Sequence, residues 1–169
     1  MRKKKKNPIL IAFLWICFLA ATGIIIWLSF QNVEKYQNIG KQFIQYVADR
    51  KYSGRPVTEE EMRILTFEVR QMGRIAAFFL LGILGTMTIY LSFKKCNWVL
   101  KTGAAAAILF AVACLTEKLK VYFPGRHYSY HEMLLSITAA SMGFLLVSFI
   151  TICFHILRCF FRVITAVIH

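Results

Sequence analysis

Apolar residues are concentrated in four runs of this chain, at about residues 9–30, 75–93, 98–115 and 133–157. The runs are 18 to 25 residues long and contain a single charged side chain, Lys101. An α-helix needs about 20 apolar residues to cross the roughly 30 Å hydrocarbon core of a membrane. The pattern therefore predicts an all-α integral membrane protein built as a four-helix bundle.

The segment between the first two runs, residues 31–72, is the largest polar part of the chain. Ile39, Phe43, Ile44 and Val47 recur at helical spacing within it. This spacing predicts a short amphipathic helix that lies on the outer membrane surface. The bundle is therefore expected to have an extracytoplasmic amphipathic helical loop after its first span.

A second helix is predicted to begin in the same loop and to run into the second span. Thr58 and Glu61 are three residues apart, which is typical of a capping box at a helix N-terminus. Met62, Leu65 and Val69 then continue an apolar stripe toward the membrane. One long helix is therefore expected to enter the bilayer.

The end of the chain, residues 158–169, is predicted to be an amphipathic tail on the inner side. Its polar residues fall on one helical stripe, and apolar residues fill the rest of the surface. The tail either extends the fourth span or turns into the plane of the membrane, where arginines favour anionic headgroups. The stripe consists of His155, Arg158, Arg162, Thr165 and His169.

Composition supports this fold class and excludes others. Of the 169 residues, 58% are hydrophobic, and the formal net charge is +13. Four long apolar runs are incompatible with a soluble globule, a secreted disulfide scaffold or a disordered tail. In membrane proteins, clustered Lys and Arg set orientation. We therefore expect membrane lipids, and no nucleic acid, among the partners.

The basic residues also predict the topology. A basic cluster at residues 2–6 precedes the first run, whose 22 residues are too many for the apolar core of a cleaved signal peptide. We therefore predict an uncleaved signal anchor, with both termini cytoplasmic. The inner segments would then hold ten basic residues and no acidic residue, and the outer segments would hold the other eleven basic residues and all eight acidic ones. The counts of basic residues are nearly equal, so the orientation rests on their higher density in the inner segments and on the N-terminal cluster.

Small residues predict where the spans touch. Gly82 and Thr86 are four apart, as are Ala139 and Gly143, and residues 104–107 are four consecutive alanines. Small residues at this spacing let helix backbones approach closely in lipid. They are therefore expected at helix–helix contacts.

Charged residues gather at the predicted outer ends of the last three spans. Pro124 and Gly125 predict a tight turn, and Arg126 follows it at the headgroup level, where a guanidinium can bind phosphate or carboxylate. Arg70 and Arg74 are four apart at the start of the second span and share a helical face. A charge inside a span usually pairs within the bundle.

Two carboxylates are expected beside these arginines. Glu117 ends the third span and is the predicted partner of Arg74. Glu132 has two interpretations, because with Ser129 it forms a second capping box. If both carboxylates join Arg70, Arg74 and Arg126, the set is net positive. Such a set suits an anionic ligand such as a lipid phosphate, and it equally suits a structural ion-pair network.

No metal or cofactor site is predicted. The chain contains no HExxH, CxxC, phosphate-binding loop or Gly-x-Ser-x-Gly motif. His127 and His131 are four residues apart but have no third ligand nearby in the sequence.

Several of these residues resemble the signature of the VanZ-like family, which is named for a protein linked to low-level teicoplanin resistance in Gram-positive bacteria. That signature has an acidic residue before a Pro-Gly-Arg turn, and small residues in the following span. The matching positions are Glu117, Pro124, Gly125, Arg126 and Gly143, with Tyr122 and Glu132 as conservative replacements, whereas Thr116, Lys120, Ser136 and Ala139 depart from the pattern.

A second family motif, at the start of the second span, is matched less well. Arg70 agrees, whereas Gln71, Arg74, Ala77 and Phe78 stand where the family has Lys, His, Glu and Tyr. If the family's His and Glu exchange protons, this chain lacks both, and an arginine stays protonated. The order of segments along the whole chain agrees with the family.

The resemblance implies a protein of the bacterial cytoplasmic membrane that affects teicoplanin susceptibility, but the family name supplies no reaction. The basic cluster without a complete acid–base set favours a non-catalytic protein that binds an anionic lipid-linked cell-wall intermediate or a lipoglycopeptide. The alternative is an enzyme acting on an anionic envelope lipid, with Glu117 or Glu132 as the base and the three arginines holding the phosphate. A transporter is a third reading, which lacks the expected ionisable residue near the membrane midplane. The predicted ligand-binding residues are Arg70, Arg74, Glu117, Pro124, Gly125, Arg126 and Glu132.

Overall fold

A computed structural model of the protein describes residues 8–30, 44, 46–51, 58–93, 97–122 and 129–168. These residues form helices and contain no strand. The long helices are α1 (Pro8–Phe30), α2 (Glu59–Ser92), α3 (Trp98–Lys118) and α4 (Tyr130–Ile168), and a 3₁₀-helix (Leu119–Tyr122) follows α3 directly. The prediction of an all-α four-helix bundle is confirmed.

Each of the four long helices is long and apolar enough to cross a membrane. Their outward surfaces are apolar as well, as Phe13, Leu80 and Phe149 show, each more than half exposed. A soluble protein rarely presents so large a continuous apolar surface to water. The helices are therefore those of a multi-pass membrane protein.

Helix α2 is the centre of the bundle and packs against each of the other three. It runs parallel to α4, since Arg74 lies beside Glu132 and Tyr90 lies beside Ser148. It runs antiparallel to α1 and α3. The apolar core between the helices includes Phe18, Phe78, Leu81, Leu109, Ala139 and Ala140.

The closest approach of two helices is between α2 and α4, at two glycines. A Cβ on Gly82 would collide with the carbonyl oxygen of Ala140, and a Cβ on Gly143 would collide with the carbonyl oxygen of Phe79. Glycine is therefore required at both positions for the backbones to pack this closely. The predicted small-residue contact is confirmed here.

The alanines of α3 form a narrower contact than the sequence suggested. Ala105 is fully buried, whereas Ala106 and Ala107 are exposed. Successive helical residues point about 100° apart, so four consecutive alanines cannot share one face.

The predicted long helix at the second span is confirmed, because α2 runs without a break for 34 residues. The backbone N–H of Thr58 donates to Oε2 of Glu61 at 3.1 Å, and the capping box is complete. Residues 46–51 of the preceding loop are helical, and the ammonium of Lys51 lies 2.8 Å from the carboxylate of Glu68 on α2. Two positions of the predicted loop helix, Ile39 and Phe43, lie outside the described residues.

Candidate functional site

Four charged side chains meet where α2, the 3₁₀-helix, α3 and α4 come together, and we call them the ionic cluster: Arg74, Glu117, Lys120 and Glu132. Nη1 of Arg74 lies 3.0 Å from Oε1 of Glu117 and 2.6 Å from Oε2 of Glu132. Nζ of Lys120 lies 2.6 Å and 2.9 Å from the same two oxygens. Each cation therefore bridges both carboxylates, and the four charges sum to zero.

Local helix geometry brings Lys120 over Glu117. The chain tightens from α3 into the 3₁₀-helix at Leu119. Side chains three residues apart are nearly eclipsed in a 3₁₀-helix. Lys120 therefore folds back onto Glu117 rather than extending toward the surface.

The ionic cluster is removed from solvent. The side chains of Lys120 and Glu117 are 1% and 2% exposed, and those of Arg74 and Glu132 are 14% and 15% exposed. Full ionic pairing is what permits this burial, since an isolated charge in such a place would cost several kcal/mol.

The depth of the ionic cluster follows from helix length. Arg74 is 18 residues before the end of α2 at Ser92, and Glu117 is 19 residues after the start of α3 at Trp98. At about 1.5 Å per residue, both lie roughly 28 Å from the other end of the bundle. This is close to one hydrocarbon thickness, about 30 Å. The ionic cluster therefore lies at one membrane boundary, which we call the ionic end.

Arg70 differs from the other cations at this end. Its Nη2 lies 3.6 Å from Oε1 of Glu132, within ion-pair distance but too far for a hydrogen bond. Its side chain is 37% exposed, more than twice the exposure of Arg74. Arg70 therefore adds a net positive charge at the surface of a neutral, buried ionic cluster.

One buried carboxylate oxygen of the ionic cluster has no hydrogen-bond donor within the described residues. Oε1 of Glu117 receives both cations, whereas Oε2 is buried and has no hydrogen-bond partner within the described residues. Oε1 of Gln71, on the turn of α2 that precedes Arg74, is in the same condition. The ionic cluster is thus paired in charge but incomplete in hydrogen bonding.

The structure brings together four of the predicted site residues: Arg70, Arg74, Glu117 and Glu132. The pairing of Arg74 with Glu117 is the one that the sequence predicted. The remaining predicted site residues, Pro124, Gly125 and Arg126, lie outside the described residues.

Sequence reasoning missed Lys120, the most buried charge of the ionic cluster. In the sequence it is one of the outer basic residues and departs from the family signature. Its position three residues after Glu117 was the available signal, because that spacing permits an ion pair.

The structure places the carboxylate of Glu132 in the ionic cluster. Its backbone N–H approaches Oγ of Ser129 at 3.4 Å, so the serine contributes to capping α4. Its carboxylate, in contrast, binds Arg74 and Lys120. The glutamate therefore lies at the start of α4 beside a capping serine, and its carboxylate is part of the ionic cluster.

Among the described residues, no group of three His, Cys, Asp or Glu side chains is placed to hold a metal ion. A comparison with protein-family models, curated proteins and solved structures finds no match to this chain. The VanZ-like resemblance therefore stays a prediction. Of its matching positions, Glu117 lies in the ionic cluster and Gly143 lies at the α2–α4 contact.

Proposed function

We propose that this protein is a VanZ-like protein of the bacterial cytoplasmic membrane that binds an anionic lipid-linked or lipopeptide ligand at the ionic end. Binding would alter susceptibility to teicoplanin-type glycopeptides, as the resemblance implies. In this proposal both termini are cytoplasmic and the ionic end is the outer one. The dense basic segments next to the opposite end support that orientation.

The observation that carries the proposal is the position of Arg70. It is a partly exposed cation beside a neutral ionic cluster, and at 3.6 Å from Glu132 it makes no hydrogen bond to that carboxylate. Within the described residues, its donors are therefore available for a stronger acceptor. A phosphate or carboxylate at the headgroup level can accept two parallel hydrogen bonds from one guanidinium. Arg126, which the sequence predicts to lie at the same level, would supply a second guanidinium.

The buried ionic cluster would serve as the rigid support for this contact. Lys120 and Arg74 both contact Oε2 of Glu132, and Oε1 of Glu132 forms an ion pair with Arg70. A pre-positioned guanidinium loses little conformational entropy when it binds a ligand. The ion pairs would thus matter for binding as well as for folding.

The same contacts favour binding over catalysis. Glu117 pairs with two cations and Glu132 with three, so neutralising either carboxylate by protonation, as a general base requires, would weaken those ion pairs. A catalytic base also needs access to substrate, and Glu117 is almost fully buried. The enzyme alternative would need an opening of the ionic cluster.

Teicoplanin susceptibility of a Gram-positive strain that expresses the chain tests the proposal. Wild type is expected to protect, Arg70→Gln and Arg126→Ala to lose protection, and Arg63→Gln to protect like wild type. Arg63 is the matched control, because it is an exposed arginine two turns earlier on α2. Membrane abundance must be equal by immunoblot. Equal protection by Arg70→Gln and wild type would refute the assigned role of Arg70.

A further inference from the structure

Helix α4 extends well beyond the end of α2, at the end opposite the ionic cluster. The hydroxyl of Tyr90 lies 3.1 Å from Oγ of Ser148, so these two residues are at the same level. Helix α2 ends two residues later, at Ser92, whereas α4 continues to Ile168. About 18 residues of α4 therefore pass this level, which is roughly 27 Å of helix.

The extended part of α4 is apolar and exposed. Phe154, Ile156, Leu157 and Phe160 are between 52% and 70% exposed. A helix that projected straight into water would leave this apolar surface solvated, at about 25 cal/mol for each Å². The surface therefore needs an apolar environment.

Charge indicates which environment that is. Arg158 is exposed, and His155 and Arg162 share its helical stripe by register. The chain contains no Asp or Glu after Glu132, and residues 1–7, which precede α1 in the sequence, and 94–101, which follow α2, contain none either. A second copy of the chain would therefore offer only like charges, whereas an anionic lipid surface offers opposite ones.

We propose that residues 154–168 of α4 bind the membrane surface at this end as an amphipathic helix, with the arginine stripe contacting anionic phospholipid headgroups. The apolar face would enter the boundary between headgroups and acyl chains. This interaction surface is separate from the ionic end, and it does not depend on the function proposed there.

A side-chain hydrogen bond to the helix backbone lies where α4 passes the end of α2. Oγ1 of Thr151 donates to the carbonyl oxygen of Val147 at 2.7 Å. Such a side-chain bond competes with the helical bond to the same carbonyl and often accompanies helix bending. Thr151 lies immediately beyond the last level at which α2 and α4 are both present.

Spin-label accessibility of the full chain in nanodiscs tests this surface. Phe160→Cys in a chain without its native cysteines carries the label on the apolar face. In discs of phosphatidylcholine with phosphatidylglycerol, we expect collisions with a water-soluble nickel chelate to fall severalfold relative to phosphatidylcholine alone. Arg158→Gln with Arg162→Gln should abolish that fall, since each arginine near an anionic surface contributes roughly fivefold to binding.

Lys118→Gln is the matched control, because Lys118 is an exposed cation at the ionic end, and it should leave the lipid dependence intact. Helix content and monodispersity show that each variant folds. Equal accessibility of the wild-type label in both lipid mixtures would overturn the proposal. So would a lipid dependence that survives loss of both arginines, or dipolar broadening between labels, which would assign this surface to a second copy.

Discussion

The two ends of the bundle hold their polar side chains in different ways. At the ionic end, four buried charges pair with one another across α2, α3, the 3₁₀-helix and α4. At the opposite end, neutral hydroxyl groups join the helices. The hydroxyl of Tyr90 on α2 lies 3.2 Å from Oγ1 of Thr102 on α3 and 3.1 Å from Oγ of Ser148 on α4. Trp15 on α1 donates to Ser92 on α2 at 3.0 Å.

This difference shows that joining the helices does not by itself require buried charges. Hydroxyl networks join membrane helices without any need to bury charge, and each bond contributes about 0.6 kcal/mol. A buried ion pair is weak evidence for stability, because apolar residues of similar volume often serve as well. Hydroxyls could therefore have closed the bundle at the ionic end too, and the presence of charges there is one reason for proposing a ligand at that end.

The largest expected effect is at the ionic cluster itself. Lys120→Met removes one of the two cations that bridge the carboxylates of Glu117 and Glu132. We expect this variant to destabilise the protein by about 3–5 kcal/mol, because a buried negative charge loses its partner. Unfolding in detergent micelles measures this, with Lys118→Met as the exposed control. Adding Glu117→Met to Lys120→Met restores the charge balance and should recover much of the loss. No recovery would contradict the electrostatic explanation.

The contact between α2 and α4 should rank next. Gly143→Ala places a methyl group against the carbonyl oxygen of Phe79, so the helices must separate, at about 1–3 kcal/mol for such overpacking. Gly103→Ala is the matched control, because a Cβ there meets nothing within 4 Å. If both variants unfold at the same temperature, the two helices do not pack as closely as described.

A smaller effect is expected at the opposite end. Tyr90→Phe removes one hydroxyl and two hydrogen bonds, so it should destabilise the protein by roughly 1 kcal/mol. Tyr130→Phe, at an exposed tyrosine, controls for the loss of a hydroxyl. If Tyr90→Phe lowered the free energy of unfolding as much as Lys120→Met, the predicted difference between the two ends would be wrong.

The fold was predictable because the four apolar runs match the thickness of a membrane, and the pairing of Arg74 with Glu117 was predictable because charges within spans pair inside the bundle. Lys120 was missed because the third apolar run ends before it. Only the continuation of α3 into a 3₁₀-helix brings it back over Glu117. The sequence shows Ser129 as a local partner of Glu132, but not the contacts of its carboxylate with Arg74 and Lys120. Those contacts form only when α2, the 3₁₀-helix and α4 pack together.

The most direct test of the account measures binding of undecaprenyl phosphate to the full chain in nanodiscs, together with the stability of each variant. Arg70→Gln should weaken binding at least tenfold, because a charge-assisted hydrogen bond contributes about 1.5–3 kcal/mol. It should change stability by less than about 1 kcal/mol, because Arg70 is partly exposed. Arg63→Gln should change neither. Unchanged binding by Arg70→Gln would contradict the account and leave the ionic cluster with a structural role alone.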